Sequence, residues 1–203
     1  RPLQPDIVLI EHNVDEVMQT GFRDFRLKAG ESVLEPYEGL SDVMDVHQTV
    51  NGKRTSALRR LFLKLELARV ERLDEPPPGS MDAYRSLLES LVLMVRATGA
   101  TPVLITYQPS LSEGELRGDY SQDFYNRIIA FYRSMFFAYT IKGASLAVDM
   151  LNETMRDVAR SMNVELVETV GKIPREDRYF VDGTHHSEAG NDIVAKLVMD
   201  KLS

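Results

Sequence analysis

Residues 80–107 read SMDAYRSLLESLVLMVRATGATPVLITY, and this stretch decides the fold. In its first half, apolar side chains recur at steps of three and four residues, which predicts an amphipathic helix capped by Ser80 and ended by Gly99. Residues 102–107 form a short apolar run, typical of a strand buried on both faces. A helix followed by such a strand is the half-unit of a doubly wound α/β sheet.

Similar segments occur on either side of this half-unit. Residues 6–11 and 164–168 are further candidate strands, and residues 147–162 are a candidate helix ended by Asn163. An aromatic-rich stretch could form another helix from Ser121 or Gln122 to about residue 139. The expected fold class is therefore α/β: a three-layer, doubly wound parallel sheet with its functional site at the carboxyl ends of the strands.

The composition sets limits on possible partners. The chain has 203 residues, 43% of them hydrophobic, which suffices for one domain with a sizeable core. A net charge of −7 argues against general nucleic-acid binding, and no apolar run approaches the ~18 residues of a membrane span. We therefore expect neither a nucleic-acid partner nor a membrane span. The absence of cysteine excludes disulfides and thiolate catalysis.

The candidate site lies near the end of the chain, in residues 179–191, YFVDGTHHSEAGN. Asp182 precedes His185 by three residues in a Gly-containing turn, and Ser187 is a natural N-cap for the helix that follows. Hydrolases use such a carboxylate to hold an imidazole in one tautomer while the ring accepts a proton from a hydroxyl. Alternatively, this is a polar helix-entry turn in which Asp182 only caps the chain and His185 is solvated.

The block from Phe180 to Asn191 resembles the last motif of the SGNH (GDSL) hydrolases, and residues 80–109 resemble the middle of that domain. The resemblance implies a single flavodoxin-like SGNH domain over residues 1–203, with insertions at about 20–80 and 110–145. It also implies a serine ester hydrolase whose Ser-His-Asp triad includes His185 and Asp182. The expected substrate is a small-molecule or carbohydrate acyl ester, and the chemistry requires no cofactor.

The first strand is followed by His12-Asn13-Val14-Asp15-Glu16, where the family usually has Gly-x-Asn-Asp. In this register the oxyanion-binding Asn falls on Asp15, and an ionised carboxylate has no proton to donate to an oxyanion. Either Asn13 takes the donor role, or Asp15 is protonated, or the site is altered. The resemblance further places Tyr107 and His12 beside the substrate pocket.

The family's Gly-Asp-Ser block, which carries the nucleophile, would precede residue 6, and nothing in the chain supplies it. The strand that carries this block would pair beside residues 7–10. We therefore expect that N-terminal strands are absent from this sequence, and that an upstream segment carrying the serine associates with this chain.

Three alternatives remain open. The first is an O-acetyltransferase of the same fold, which passes the acyl group to a sugar hydroxyl instead of water. The second is a non-catalytic binding protein that kept the fold. The third is a metal-dependent hydrolase using His185, His186, Asp182 and His12. Adjacent histidines project in different directions, which disfavours a shared metal ion.

Overall fold

A computed structural model describes residues 5–11, 72–111, 118–135 and 138–203. Asn13, Asp15 and His12 lie outside these residues, as does most of the predicted insertion at 20–80. The elements, in chain order, are β1 (Ile7–Glu11), α1 (Ser80–Ala97), β2 (Thr101–Ile105), α2 (Gln122–Met135), α3 (Ile141–Met162), β3 (Glu165–Val167), a 3-10 turn (Asp177–Tyr179) and α4 (Glu188–Leu202).

The three described strands form one parallel sheet in the order β1-β2-β3. In the register, Leu9 pairs with Val103 and Glu11 with Ile105, while Ile105 also pairs with Val167. The strands run in chain order across the sheet and are connected through helices, as parallel pairing requires. The predicted α/β class and parallel sheet are confirmed.

Helices cover both faces of this sheet. The main core lies on the face of Leu104, where α1, α2 and α3 pack around side chains such as Leu88, Ile128 and Leu151. On the opposite face, Val103, Ile105 and Val167 are packed against the apolar side of α4. The chain thus crosses to the other face of the sheet after β3, and the turn that makes this crossing carries Asp182 and His185.

Strand β1 is less covered than its sequence predicts. Ile7 and Leu9 are 42% and 47% exposed, although the apolar run predicts a strand buried on both faces. The reason is the position of α4, which packs on β2 and β3. Within the described ranges, β1 is hydrogen-bonded on one side only, to β2.

The helix ends follow local chemistry with two corrections. Asn163 and Gly99 end α3 and α1 in left-handed conformations, as predicted. Ser80, however, is the first helical residue rather than the cap: its N-cap is Gly79, and the Ser80 hydroxyl donates to the Pro77 carbonyl. Helix α3 starts six residues before its predicted start, at Ile141.

A buried polar network holds together the carboxyl ends of β2 and β3. The Thr106 hydroxyl donates to the Glu168 carboxylate over 2.6 Å, and Thr169 N–H donates back to the Thr106 oxygen over 2.8 Å. Arg156 on α3 forms two hydrogen bonds to the same carboxylate, of 2.7 and 2.9 Å. Burial raises the pKa of Glu168, but the hydrogen bonds from Arg156 and Thr106 outweigh it and hold the pKa below its usual value.

Candidate active site

The turn between the 3-10 segment and α4 is closed by backbone hydrogen bonds at its base. Val181 N–H donates to the His185 carbonyl over 2.8 Å, and Phe180 bridges to His186 in antiparallel fashion. Helix α4 then starts as predicted, with the Ser187 hydroxyl accepting from Gly190 N–H over 3.3 Å. Asp182 and His185 both lie in the turn that these hydrogen bonds close.

One oxygen of Asp182 organises the turn. Its Oδ1 accepts the backbone N–H groups of Thr184 and His185, each over 2.9 Å. Burial raises the pKa of the Asp182 carboxyl group, but these backbone hydrogen bonds and the contact with the His185 ring outweigh burial and lower it. The carboxylate is therefore the stable form, as an orienting acid requires.

The His185 ring lies against this carboxylate. Its Nδ1 is 3.0 Å from Oδ1 and 2.9 Å from Oδ2 of Asp182. In a neutral ring this geometry favours the Nδ1–H tautomer, in which Nε2 is the acceptor. The side chain of His185 is 69% exposed, against 31% for Asp182. Nε2 has no hydrogen-bond partner in the described part of the chain.

His186 has the opposite environment. Its Nε2 donates to the Gln108 carbonyl over 2.8 Å, and its ring stacks on Tyr107 and meets Phe180 edge-on. Burial lowers the pKa of His186 and outweighs the hydrogen bond to Gln108, so the neutral ring is favoured. His186 therefore anchors the turn to the loop after β2.

Gly183 is the point at which the turn contacts the core. A Cβ atom there would lie 2.5 Å from the Phe131 ring and 2.8 Å from the Tyr132 ring, both on α2. Its carbonyl accepts from Ser110 through the backbone N–H and, over 2.7 Å, through the hydroxyl. Ser110 is fully buried and its hydroxyl is used in this contact.

Tyr107 lies two residues beyond β2 and is almost fully buried. Its hydroxyl donates to the carbonyl of Thr184, inside the turn. The predicted place of Tyr107 in a substrate pocket stays a prediction. Tyr107, Ser110 and Gln108 are each hydrogen-bonded to a residue of the turn and thereby hold it against the loop after β2. The sequence did not indicate this structural role.

Glu11 ends β1 at the same edge of the sheet, and it is not among the predicted site residues. The residue as a whole is exposed, yet burial of its carboxyl group raises the pKa to about 7. The signal in the sequence was its place directly after four apolar strand residues.

The two histidines of the metal alternative point to different partners. His185 Nδ1 faces Asp182, whereas His186 Nε2 faces a backbone carbonyl. Among the residues that the structure describes, no group of three or more His, Asp or Glu side chains could hold a metal ion.

None of the described helices is long and apolar enough to cross a membrane.

Fold and site together define an α/β protein with a carboxylate–histidine pair in the turn that leads from the sheet to α4. Comparison with solved structures finds a similar fold in a GDSL-like lipase from Bacteroides thetaiotaomicron VPI-5482, with a TM-score of 0.41 and 14% identity over 96% of this chain and 85% of that one. A proposed acylhydrolase from Bacteroides fragilis NCTC 9343 gives a TM-score of 0.44 and 12% identity over 98% and 88%.

No protein-family model and no curated protein sequence matches the chain. Because both TM-scores are low, neither similarity supports an activity or a residue role in this chain, and those depend on the site itself.

Proposed function

We propose that this chain provides the acid–base part of a serine ester hydrolase, in which Asp182 orients His185 and His185 moves the proton. The observation that supports the proposal is the environment of the ring: Nδ1 lies within hydrogen-bond distance of a carboxylate, Nε2 has no hydrogen-bond partner among the described residues, and the side chain is 69% exposed.

The reaction follows from that geometry. His185 Nε2 takes the proton of a serine hydroxyl as the serine oxygen attacks the ester carbonyl carbon. The imidazolium, stabilised by Asp182, returns the proton to the leaving alkoxide oxygen when the ester C–O bond breaks. A water molecule then gives a proton to Nε2 and attacks the acyl carbon. The bond between the acyl carbon and the serine oxygen breaks, the serine oxygen takes the proton back from Nε2, and the acid is released. In the acyltransferase variant, a sugar hydroxyl replaces this water.

The serine is proposed to come from an upstream segment that pairs beside β1. Ser187 lies at the end of the turn, but its hydroxyl caps α4 and donates to the Arg178 carbonyl. Among the described serines elsewhere, Ser110 contacts the turn, but it is buried and donates to Gly183 rather than to His185. The side of β1 that pairs with no strand among the described residues, together with the exposed Ile7 and Leu9, offers a place for another strand. Asn13 remains the proposed oxyanion donor, with Asp15 as the alternative.

The test compares residues 1–203 alone with a version that carries an upstream segment containing a strand and Gly-Asp-Ser. We expect the first protein to give no p-nitrophenyl acetate hydrolysis and no labelling by a fluorophosphonate. The extended protein should gain both, and replacing its added serine by alanine should remove both. A labelled serine within residues 1–203, located by mass spectrometry, would contradict the proposed origin of the nucleophile.

A further inference from the structure

The exposed ring of His185 has few contacts of its own. Within the described residues, its side chain has hydrogen-bond partners only in the Asp182 carboxylate and, at 3.4 Å, the Thr184 hydroxyl. Besides the contact with Asp182, the position of the ring depends on the backbone from which it projects. On one side of His185 that backbone is the peptide unit shared with Thr184, and on the other side the His185 carbonyl accepts from Val181 N–H.

This peptide unit is held at both ends. Its N–H group, on His185, donates to Asp182 Oδ1 over 2.9 Å. Its carbonyl group, on Thr184, accepts the hydroxyl of Tyr107. One partner lies in the turn and the other comes from the loop after β2, so the peptide plane is tied to the sheet as well as to the turn.

Tyr107 is itself held by a buried amide side chain. Asn152 on α3 is 1% exposed; its Oδ1 accepts Tyr107 N–H and its Nδ2 donates to the Tyr107 carbonyl, each over 2.8 Å. A neighbouring strand would offer the same donor and acceptor, but β2 ends at Ile105. Beyond the end of β2, Asn152 therefore makes the two backbone hydrogen bonds that a neighbouring strand would make. Both polar groups of its side chain are used in these hydrogen bonds.

We propose that Tyr107 and Asn152 are positioning residues that fix the Thr184–His185 peptide plane and thereby hold the His185 ring on Asp182 with Nε2 open. The inference rests on the proposed function, because it assigns these residues to the base of that reaction. Burial raises the pKa of the Tyr107 hydroxyl well above its usual value. The hydroxyl therefore keeps its proton at neutral pH and remains a hydrogen-bond donor. Neither residue touches the reacting atoms.

The test reads the tautomer of His185 by long-range proton–nitrogen NMR of 15N-histidine-labelled protein at about pH 8.5, where an ordinary histidine is neutral. The chain has four histidines, and His185→Gln and His186→Gln assign the two signals. His186, which donates through Nε2, is an internal reference for the other tautomer. No substrate is needed.

Tyr107→Phe removes one hydroxyl and keeps the ring. We expect the ratio of the Nδ1–H to the Nε2–H form of His185 to fall roughly 2- to 10-fold, the effect of losing one hydrogen bond. The matched control is Tyr120→Phe, which removes another buried hydroxyl, one that donates to the Ser110 carbonyl over 2.9 Å. The control should leave the ratio unchanged while lowering thermal stability to a similar extent. Asn152→Leu should shift the ratio in the same direction as Tyr107→Phe.

An unchanged ratio in Tyr107→Phe, or an equal shift in Tyr120→Phe, would overturn the inference. Its failure is distinguishable from failure of the proposed function. If the ratio shifts but the extended protein hydrolyses no ester, the positioning stands and the hydrolase proposal falls. If His185→Ala abolishes hydrolysis while Tyr107→Phe leaves the tautomer and kcat unchanged, the reverse holds. In an active protein, Tyr107→Phe should lower kcat more than it changes KM.

Discussion

His185 and His186 are neighbours in sequence with opposite surroundings, and this contrast gives the sharpest test at the scale of a residue. In the extended, active protein, His185→Ala should lower kcat by roughly 10⁴-fold or more, because the proton acceptor is lost. His186→Ala should keep most of the activity but lower the melting temperature, because it removes the bond to Gln108 and the contact with Tyr107. Equal losses of p-nitrophenyl acetate hydrolysis in the two variants would contradict the assignment of His185 as the base.

Asp182 should make stability depend on pH in a defined direction. Its pKa is lower in the folded state than in the unfolded chain, so its contribution is present above the unfolded value of about 4 and is lost as pH falls through the folded value. The difference in unfolding free energy between wild type and Asp182→Asn should therefore be largest near neutral pH and shrink below about pH 4.

Urea unfolding at a series of pH values measures this difference. Asp200→Asn, at an exposed position of α4, is the control and should not reproduce the decline. A difference that stays constant from neutral pH to about pH 3 would mean that the Asp182 carboxylate is not stabilised by the turn.

The Asp182–His185 pair could be predicted because its members lie three residues apart in one turn. The groups that hold the turn could not, because their partners are distant in sequence. Ser110, Tyr107 and Gln108 reach the turn across 73, 77 and 78 residues. No local pattern marks a buried serine or tyrosine as the partner of a particular carbonyl.

At the scale of an element, the close contact between the turn and α2 predicts the effect of Gly183→Ala. The new methyl group would overlap the rings of Phe131 and Tyr132, and the fully buried Tyr132 has little room to move. We expect a loss of about 1–3 kcal/mol in unfolding free energy, as for other overpacked sites. The double variant with Phe131→Ala should regain part of it. If the single and the double variant unfold alike, the contact with Phe131 is not the cause of the loss.

Helix α3 shows why an element boundary escaped the sequence analysis. Its first turn contains Gly143, which reads as a break, yet the helix is capped by Thr140, whose hydroxyl oxygen accepts from Gly143 N–H over 3.0 Å. The glycine is required because a Cβ there would lie 2.3 Å from the Leu73 carbonyl oxygen. The approach of Leu73, which lies seventy residues earlier in the chain than Gly143, is not visible in the local sequence.

At the scale of the whole molecule, we expect the side of β1 away from β2 to affect self-association in solution. Leu9 is 47% exposed on a strand that is paired on one side in the described structure, and such edges promote aggregation. Leu9→Lys in residues 1–203 should therefore raise the monomer fraction in size-exclusion chromatography at equal loading.

Leu93→Lys is the matched control, because Leu93 is 57% exposed on helix α1 rather than on a strand. It should change the monomer fraction much less than Leu9→Lys. Equal gains from the two variants would indicate general surface hydrophobicity instead of strand pairing.

The sheet itself could be predicted from the sequence, because each strand is a short apolar run and two of them follow amphipathic helices. What the sequence could not show is how far each strand is covered. Helix α4 packs on Val103, Ile105 and Val167 and leaves Leu9 open, and this placement depends on the turn that precedes the helix.

The double use of Asp182 has a consequence for how relatives of this chain should diverge. The same oxygen that holds the His185 ring also accepts two backbone N–H groups, so the turn needs the aspartate whether or not a reaction takes place. A lineage that gave up the reaction would lose the selection on His185 first, since that side chain is 69% exposed and supports little else. Inactive relatives should therefore be recognised by a replaced histidine beside a retained aspartate.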